Sequence, residues 1–409
     1  MLRIQPFRAL RPPANLAARV ASVPYDVVTT DQARDLAAGN PASFLHVVRP
    51  EIDLPPDTDP HDPAVYAQGR ANLDRLRHEG CLVRDAEPRL FLYRQAQDHQ
   101  TQVGIVACCH VEDYRRDLIK KHEKTRPDKE NDRTRHLLAL NAHAGPVFLT
   151  YRDSPSIDAL VAEDRNQRPL YHFDAPDGVT HTVWEVRDPR AYVEAFGVVP
   201  CAYVADGHHR AASAFRAARE RREHNPAHTG EEEYNWFLTV LFPASQLHIL
   251  PYHRLVRDLG DRTPEAIRRE LTRAGPLTET STPQPERRGV FGIHLEGRWY
   301  RLELDPASID TSDPVASLDA ALVQERVLTP AFGIGDPRTD PRLDFLGGVH
   351  GIAGLERQVA TGDAAAAIAL HATSIEDLLR VADAAEMMPP KSTWFEPKLR
   401  SGLFVHELD

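Results

Sequence analysis

One short stretch near the middle of the chain combines residue types and spacing that suit phosphate chemistry. Residues 202–205 are apolar, which predicts a strand, and residues 211–222 are rich in Ala, Arg and Glu, which predicts a helix. Between them lie Asp206, Gly207, His208, His209 and Arg210. The first turn of a helix presents unpaired backbone N–H groups at the positive end of the helix dipole, and such an end binds anions. We therefore predict a phosphate-binding turn here.

Each side chain of this turn has a chemistry that fits the prediction. Gly207 lets an oxyanion approach the backbone because it has no Cβ, and the Arg210 guanidinium matches phosphate oxygens. His208 and His209 can bind phosphate or transfer protons, and Asp206 can bind a metal ion or accept a hydroxyl proton. The alternative is that Asp206 caps the helix and the histidines are surface residues. Capping explains the aspartate alone, so the sequence favours a functional site.

A second cluster, residues 120–125, holds three lysines, a histidine and a carboxylate. We predict a charged helix from residue 113 to about residue 142, interrupted at Pro127 because proline breaks the hydrogen-bond ladder. Within one and a half turns these groups can surround a phosphorylated ligand, with Glu123 as general base. The alternative is a solvated helix face. The predicted substrate-binding residues are Lys121, His122 and Thr125, with Arg8, Tyr25 and Asp26 near the N-terminus.

A third cluster lies near the C-terminus, at residues 388–398. Its prolines stiffen a loop that offers an ammonium group, two hydroxyls and aromatic faces, all of which suit a nucleotide. We predict that Lys391, Ser392 and Thr393 bind it. The alternative is an ordered tail that packs its aromatic rings on the core. The Walker A, G-x-G-x-x-G and G-x-S-x-G motifs are absent, so the usual nucleotide-binding and hydrolase patterns do not compete.

Composition limits the classes of function. The 409 residues carry a net charge of −11, and 42% of them are hydrophobic, which excludes wholesale disorder and disfavours nucleic acid as a partner. The four cysteines lack zinc-ligand spacing, which indicates a reducing compartment. No apolar run reaches the ~18 residues of a membrane span, and the first ten residues lack a signal-peptide core. We predict a cytoplasmic protein without a membrane partner, whose oligomeric state the sequence leaves open.

Strands and helices alternate without a strict βαβ order, so we predict an α+β, or mixed α/β, fold. Residues 44–48 and 237–242 are predicted strands, and residues 89–94 and 104–110 a predicted hairpin or meander. The predicted division has three parts: an N-terminal α/β region at 1–110, a phosphate-binding core at 111–265, and a C-terminal α/β region at 266–409 whose segment 388–398 returns to the site.

Several motifs in order give the chain a resemblance to the DUF1015 family over nearly its whole length. They are residues 4–8, 23–28, 40–41, 121–125, 145–151, 205–210 and 388–393. More distantly, the Asp-Gly-His-His-Arg turn resembles the signature turn of the ParB/sulfiredoxin-like superfamily. That group includes nucleotide-binding partition proteins, sulfiredoxins and ADP-dependent free serine kinases.

The distant resemblance implies a ParB/sulfiredoxin-like core with N- and C-terminal additions. It also implies that residues 207–210 hold nucleotide phosphates, with ADP or ATP as co-substrate and Mg²⁺ bridging the phosphates at Asp206. Asp206 would be the acid beside the turn, and Glu123 is the candidate for a second acid. The implied activity is a small-molecule kinase acting on free serine, or its reverse on O-phosphoserine. Two alternatives stay open: a non-catalytic nucleotide-binding regulator, and a lyase acting on a phosphorylated amino acid.

Overall fold

A computed structural model describes all 409 residues of the chain. The chain forms two compact units, each with its own hydrophobic core. Unit 1 comprises Met1–Leu247 and Pro397–Asp409, and unit 2 comprises His248–Glu396. No helix is both long enough and apolar enough to span a bilayer.

The strands, numbered along the chain, are β1 (Ile4–Gln5), β2 (Leu10–Arg11), β3 (Val83–Arg84), β4 (Phe91–Gln97), β5 (Gln100–His110), β6 (Ile119–Lys120), β7 (Ala142–His143), β8 (Val147–Tyr151), β9 (Tyr171–Asp174), β10 (Thr180–Glu185), β11 (Ala202–Asp206), β12 (Trp236–Pro243), β13 (His248–Leu250), β14 (Tyr252–Val256), β15 (Leu277–Glu279), β16 (Val290–Leu295), β17 (Arg298–Glu303), β18 (Leu343–Gly347), β19 (Ala366–Ala369), β20 (Trp394–Glu396) and β21 (His406–Glu407).

The α-helices are α1 (Ala17–Val20), α2 (Thr30–Ala37), α3 (Leu45–Val48), α4 (Pro63–His78), α5 (Val111–Arg115), α6 (Pro127–Leu140), α7 (Pro155–Asp164), α8 (Pro189–Phe196), α9 (His208–Glu223), α10 (Pro264–Ala274), α11 (Asp319–Val323), α12 (Gly351–Ala360) and α13 (Ile375–Asp383). A π-helix, Gln324–Phe332, follows α11 directly. Short 3₁₀ helices lie at Tyr25–Val27, Pro50–Asp53, Glu233–Asn235, Ala244–Gln246, Pro306–Ser308 and Gly348–His350.

A nine-stranded mixed sheet forms the centre of unit 1, in the order β6-β11-β8-β12-β5-β4-β10-β9, with β1 added beside β5. Strands β6 and β11 are parallel, as are β8 and β12, whereas β11 and β8 are antiparallel. Central strands are apolar on both faces, as expected for a sheet that is covered on both sides. Ile105, Phe237 and Leu241 are almost completely buried in its core.

Unit 2 contains a six-stranded sheet in the order β15-β17-β16-β19-β14-β18. All of its neighbouring strands are antiparallel. The amphipathic helix α10 and the π-helix pack Ile267, Leu271 and Phe332 against Phe291 and Ile293 of this sheet. A turn at residues 296–297 joins β16 to β17.

The mixed α/β fold class is confirmed by these sheets and helices. Capping chemistry accounts for the start of α4, where the Asp62 side chain caps the helix and Pro63 occupies its first turn. The predicted strand at residues 44–48 is wrong, because Leu45–Val48 forms a short helix. A run of five apolar or aromatic residues suits either element, and periodicity alone does not separate them.

The predicted helix at residues 113–142 is confirmed after its interruption at Pro127, where α6 runs from Pro127 to Leu140, but it is wrong for most of the part before Pro127. Helix α5 ends at Arg115, and the short strand β6 follows at Ile119–Lys120. Ile119 is completely buried and pairs with Ala202, so tertiary pairing overrides the helical character of the neighbouring charges. Residues 121–126 form a loop, and α6 begins only at Pro127.

The units divide the chain differently from the three predicted regions. Strands β4 and β5 from residues 1–110 lie in the same sheet as β8 and β12 from residues 111–265. Hydrogen bonding across that sheet therefore joins the first two predicted regions into one unit. The predicted ParB-like character of the core stays a prediction.

Candidate functional site

The site is assembled where two parallel strands end at the same edge of the unit 1 sheet. Strand β6 runs beside β11, with Ile119 opposite Ala202 and Lys120 opposite Tyr203. Because parallel neighbours end at the same edge, the residues that follow them meet there. The loop after β6 thus brings His122 to the turn that follows β11, although the two segments are far apart in sequence.

The turn has the geometry that the sequence predicts. Gly207 adopts a φ of +94°, a left-handed conformation that favours glycine, and α9 starts at His208. The 16 residues of α9 bury a face of small side chains, including Ala211, Ala214 and Ala217, in the unit 1 core. Packing of this face fixes the direction of the helix dipole, so its positive end points out of the sheet edge beside Asp206.

Asp206 occupies the end of β11 and is surrounded by positive charge. Its Oδ2 atom lies 3.4 Å from Nη2 of Arg210 and 3.5 Å from Nζ of Lys398. Burial favours the neutral acid, but the Lys398 and Arg210 cations outweigh it and hold the pKa of Asp206 far below its ordinary value. The side chain keeps 28% of its exposure, so the ionised carboxylate remains accessible to a ligand.

Arg210 folds back over the turn. Its guanidinium donates to the carbonyl oxygen of Pro146, just before β8, and lies against Gly207. A Cβ on Gly207 would lie 3.0 Å from its Nε atom. Burial disfavours the charge, yet the carboxylates of Asp26 and Asp206 raise the pKa of Arg210 above its ordinary value. The guanidinium is thus a permanent cation held at the helix start.

Two imidazoles pack beside the carboxylate. The rings of His122 and His208 are perpendicular, with centroids 4.5 Å apart, and both residues are buried. Burial lowers the pKa of His122 to about 4 and that of His208 well below its ordinary value. Both rings are therefore neutral at physiological pH. One ligand atom from each imidazole and one from the carboxylate of Glu123 lie within 4.8 Å of one another.

The N-terminal segment approaches the same site. The Arg133 guanidinium lies 4.2 Å from the ring centroid of Tyr25, and burial raises the pKa of Tyr25 above its ordinary value. Asp26 is exposed and close enough to Arg210 to affect its pKa. On this side of Arg210, unit 1 contains a small pocket lined in part by Tyr25, Arg133, Gly145, Arg210, Ser213 and Ser401.

A family model now identifies the group to which the sequence belongs. The model described as "Protein of unknown function (DUF1015)" matches residues 4–321. The chain belongs to the DUF1015 family. No curated protein matches the sequence.

Three solved structures are similar to this DUF1015 protein at low identity. A free serine kinase in complex with AMP has a TM-score of 0.36 and 11% identity, covering 75% of this chain and 94% of that chain. SbnI with a C-terminal truncation, from Staphylococcus aureus, has a TM-score of 0.39 and 11% identity, with 74% and 87% covered. A conserved hypothetical protein from Pyrococcus furiosus has a TM-score of 0.36 and 10% identity, with 76% and 98% covered. Similarity at this level does not transfer an activity.

Some predicted substrate-binding residues of the DUF1015 protein have local structural partners instead. Nζ of Lys121 donates to the carbonyl oxygen of Tyr114 at 2.9 Å and lies 3.0 Å from the Asp117 carboxylate. Thr125 donates its hydroxyl to the Glu130 carboxylate at 2.8 Å. Arg8 is exposed near β1. The binding roles predicted for Lys121, Thr125 and Arg8 stay predictions.

The predicted nucleotide-binding residues 391–393 of the DUF1015 protein belong to unit 2. There the Ser392 hydroxyl donates to the carbonyl oxygen of Pro389 at 2.7 Å, and the Thr373 hydroxyl donates to the carbonyl oxygen of Ser392 at 2.9 Å. The Lys391 ammonium lies 5.3 Å from the ring centroid of Tyr252. These contacts order the loop, and the nucleotide-binding role of Lys391, Ser392 and Thr393 stays a prediction.

Lys398 belongs to the candidate site but is not among the individually predicted binding residues, although its segment, 388–398, is predicted to return to the site. It is the last residue of the third cluster, but its contact with Asp206 spans almost two hundred positions. The one feature of the sequence that points to a role for Lys398 is its basic side chain at the end of a proline-rich segment. Nothing local indicates that a lysine at this position pairs with the Asp206 carboxylate.

Replacing Gly207 by Ala is expected to weaken the predicted binding of nucleotide phosphates at this turn and to lower the free energy of unfolding. A left-handed backbone costs an alanine about 1–2 kcal/mol, and the new Cβ would displace the Arg210 guanidinium. Gly178 gives a matched control, because its φ is +80° and a Cβ there would meet nothing within 4 Å. Gly178→Ala should lose similar stability but keep nucleotide affinity, as measured by calorimetry. Equal affinity losses in the two variants would contradict the role of the turn.

Proposed function

We propose that this DUF1015 protein is a phosphotransferase that moves a phosphoryl group between a nucleotide and free serine, or back from O-phosphoserine. The observation that carries the proposal is the placement of Asp206, Arg210 and Lys398 around Gly207 at the start of a long helix. The distant resemblance to the ParB/sulfiredoxin-like superfamily, which includes free serine kinases, suggests serine and a nucleotide as the substrates. The geometry supports the anion site and the acidic group beside it.

The anion would bind at the start of α9. Backbone N–H groups of the first turn, the helix dipole and two fixed cations all favour negative charge at this point. Arg210 is held there by Pro146, and Lys398 by Asp206, so both cations are positioned before a phosphate arrives. Preorganised positive charge of this kind stabilises the charge that develops on a transferred phosphoryl group.

The carboxylate of Asp206 would take the hydroxyl proton of serine. In the kinase direction the serine oxygen attacks the terminal phosphorus of ADP or ATP. A new P–O bond forms, the bond to the leaving nucleotide breaks, and the proton passes to Asp206. Asp206 is ionised across the physiological pH range, so it carries no proton and can receive one as the new P–O bond forms, while it also holds Arg210 and Lys398 in place. Glu123 is the second carboxylate at this edge of the sheet.

The surroundings of Asp206 do not fit a directly bound Mg²⁺ ion. Magnesium prefers carboxylate oxygens, water and substrate phosphates. Oδ2 of Asp206 already faces two cations, at 3.4 Å and 3.5 Å. The proposal therefore assigns no step to magnesium at Asp206.

Phosphorus NMR on the purified protein tests the proposal. The protein would be incubated with Mg²⁺ and with ADP or ATP plus serine, and separately with AMP or ADP plus O-phosphoserine. We expect phosphate exchange between nucleotide and serine. Nucleotide binding without exchange would indicate a regulatory protein instead, and release of pyruvate from O-phosphoserine would indicate a lyase. Either result would contradict the phosphotransferase.

Separate substitutions of Lys398 and Lys121 test which of the two lysines contributes to phosphoryl transfer. Because Lys398 contacts Asp206 whereas Lys121 is held by Tyr114 and Asp117, we expect Lys398→Met to lower the turnover number by about 10²-fold. Lys121→Met should have a much smaller effect. Steady-state kinetics of both variants measures the difference. A loss confined to Lys121→Met would instead place the functional lysine in the cluster at residues 120–125.

A further inference from the structure

We propose that His122, Glu123 and His208 form a binding site for one divalent transition-metal ion of the zinc class. This inference goes beyond the phosphotransferase and does not depend on it. The three side chains would bind the metal whichever reaction the neighbouring turn supports.

The three donors already lie close together. One nitrogen from each imidazole and one oxygen of Glu123 are all within 4.8 Å of one another. In a tetrahedral zinc site, with metal–ligand bonds of about 2.0–2.1 Å, two ligand atoms are roughly 3.4 Å apart. Closing the site therefore requires a movement on the order of 1 Å. Glu123 lies half-buried in the loop between β6 and α6, where a change of side-chain rotamer can supply that movement.

The buried imidazoles lack the partners that such groups normally have. His122 is 1% exposed, and neither of its ring nitrogens makes a hydrogen bond of ordinary geometry, although the backbone of Val204 lies near enough to raise its pKa slightly against the effect of burial. His208 is 7% exposed, and its Nε2 atom also lacks a hydrogen-bond partner. Burying a polar atom without a hydrogen-bond partner is unfavourable, so two adjacent imidazoles that both have such atoms require an explanation. A shared metal ion would satisfy one nitrogen on each ring.

The donor set selects the metal. Two imidazoles and one carboxylate suit Zn²⁺ and similar transition metals, whereas Mg²⁺ and Ca²⁺ prefer oxygen ligands alone. Three protein ligands leave a further position for water or a phosphate oxygen, as in catalytic rather than structural zinc sites. Asp206 interacts electrostatically with both imidazoles and places a further negative charge near the ion.

Metal titration of the whole chain tests the site without any assay of activity. The protein would be stripped with a chelator, dialysed, and titrated with Zn²⁺ by calorimetry and with Co²⁺ by visible spectroscopy. We expect one ion per chain and the absorption bands of four- or five-coordinate Co²⁺. Absence of stoichiometric binding would overturn the proposal. Because phosphotransfer is not measured, a failure of the proposed function leaves this result unaffected.

Three variants assign the ligands. His208→Ala and Glu123→Gln should each reduce the bound metal by at least tenfold. Because Glu123 lies outside α9, a loss of metal in Glu123→Gln is not explained by a folding defect at the start of that helix. His209→Ala is the matched control, because it removes the neighbouring imidazole of the same turn and should keep the metal. Circular dichroism checks the fold of each variant. Full metal binding by Glu123→Gln and His208→Ala, or an equal loss in His209→Ala, would overturn the assignment.

Discussion

Asp206→Asn is expected to lower the rate of phosphotransfer by about 10³-fold, the largest effect of a substitution at the turn. An amide does not accept the serine proton. It also removes the negative charge that holds Arg210 and Lys398, whose cations lie 3.4 Å and 3.5 Å from Oδ2. The turnover number with ADP or ATP and serine is the quantity to measure. Circular dichroism and thermal unfolding would check that the variant folds.

Glu123→Gln provides the comparison for that result, because it changes the second carboxylate at the same sheet edge. We expect its effect on turnover to be smaller than that of Asp206→Asn. An equal or greater loss would assign the proton transfer to Glu123. A folded Asp206→Asn protein that keeps more than a tenth of the wild-type rate would contradict the role given to Asp206.

The second large effect is expected in unit 2, where Asp319 should make stability depend on pH. Asp319 is buried at the start of α11, and its Oδ1 atom accepts from the Gly289 N–H at 2.8 Å. Burial raises the pKa of Asp319 from 3.8 to about 7, because its effect is larger than the lowering by the Gly289 and His371 backbones and the Arg288 cation. In the unfolded chain the group ionises near pH 3.8, so unfolding releases a proton between these pH values. Stability is therefore highest below this range and falls as pH rises towards 7.

Asp319→Asn should remove this dependence, because an amide does not ionise. The upper limit of the effect is about 4 kcal/mol, from a pKa difference of roughly three units. Hydrogen exchange of peptides from β16, measured by mass spectrometry at pH 5 and pH 8 and corrected for intrinsic rates, would report the stability of unit 2. The wild type should lose protection relative to the variant at pH 8. A difference between the two proteins that does not change with pH would contradict the assignment.

Local chemistry made the strand–glycine–helix geometry of the Asp206–Arg210 turn predictable. An apolar strand, one glycine and a helix-forming run are contiguous, so Ala202–Asp206, Gly207 and His208–Glu223 follow from neighbouring residues. The same applies to Asp62 and Pro63 at the start of α4. In each case a backbone requirement and the residue that meets it lie within a few positions of each other.

What the sequence did not predict depends on contacts between distant segments. Strand β6 is two residues long and exists because Ile119 pairs with Ala202, so the surrounding charges led to a helix prediction. The meeting of His122 with His208 depends on the same parallel pairing. The return of segment 388–398 to the site is predicted, but the pairing of Lys398 with Asp206 that results from this return is not. No local pattern encodes these pairings.

Because unit 2 is inserted in the sequence of unit 1, unit 1 is formed by two separate stretches of the chain. A protein trimmed to the family-model match, residues 4–321, would contain the whole Asp206–Arg210 turn. It would nevertheless lack Lys398 and the strand β21 that pairs with β7. A shortened protein that preserves the turn must instead splice Leu247 to Pro397 through a linker, and inactivity of a simple C-terminal truncation would say nothing about the chemistry of the turn.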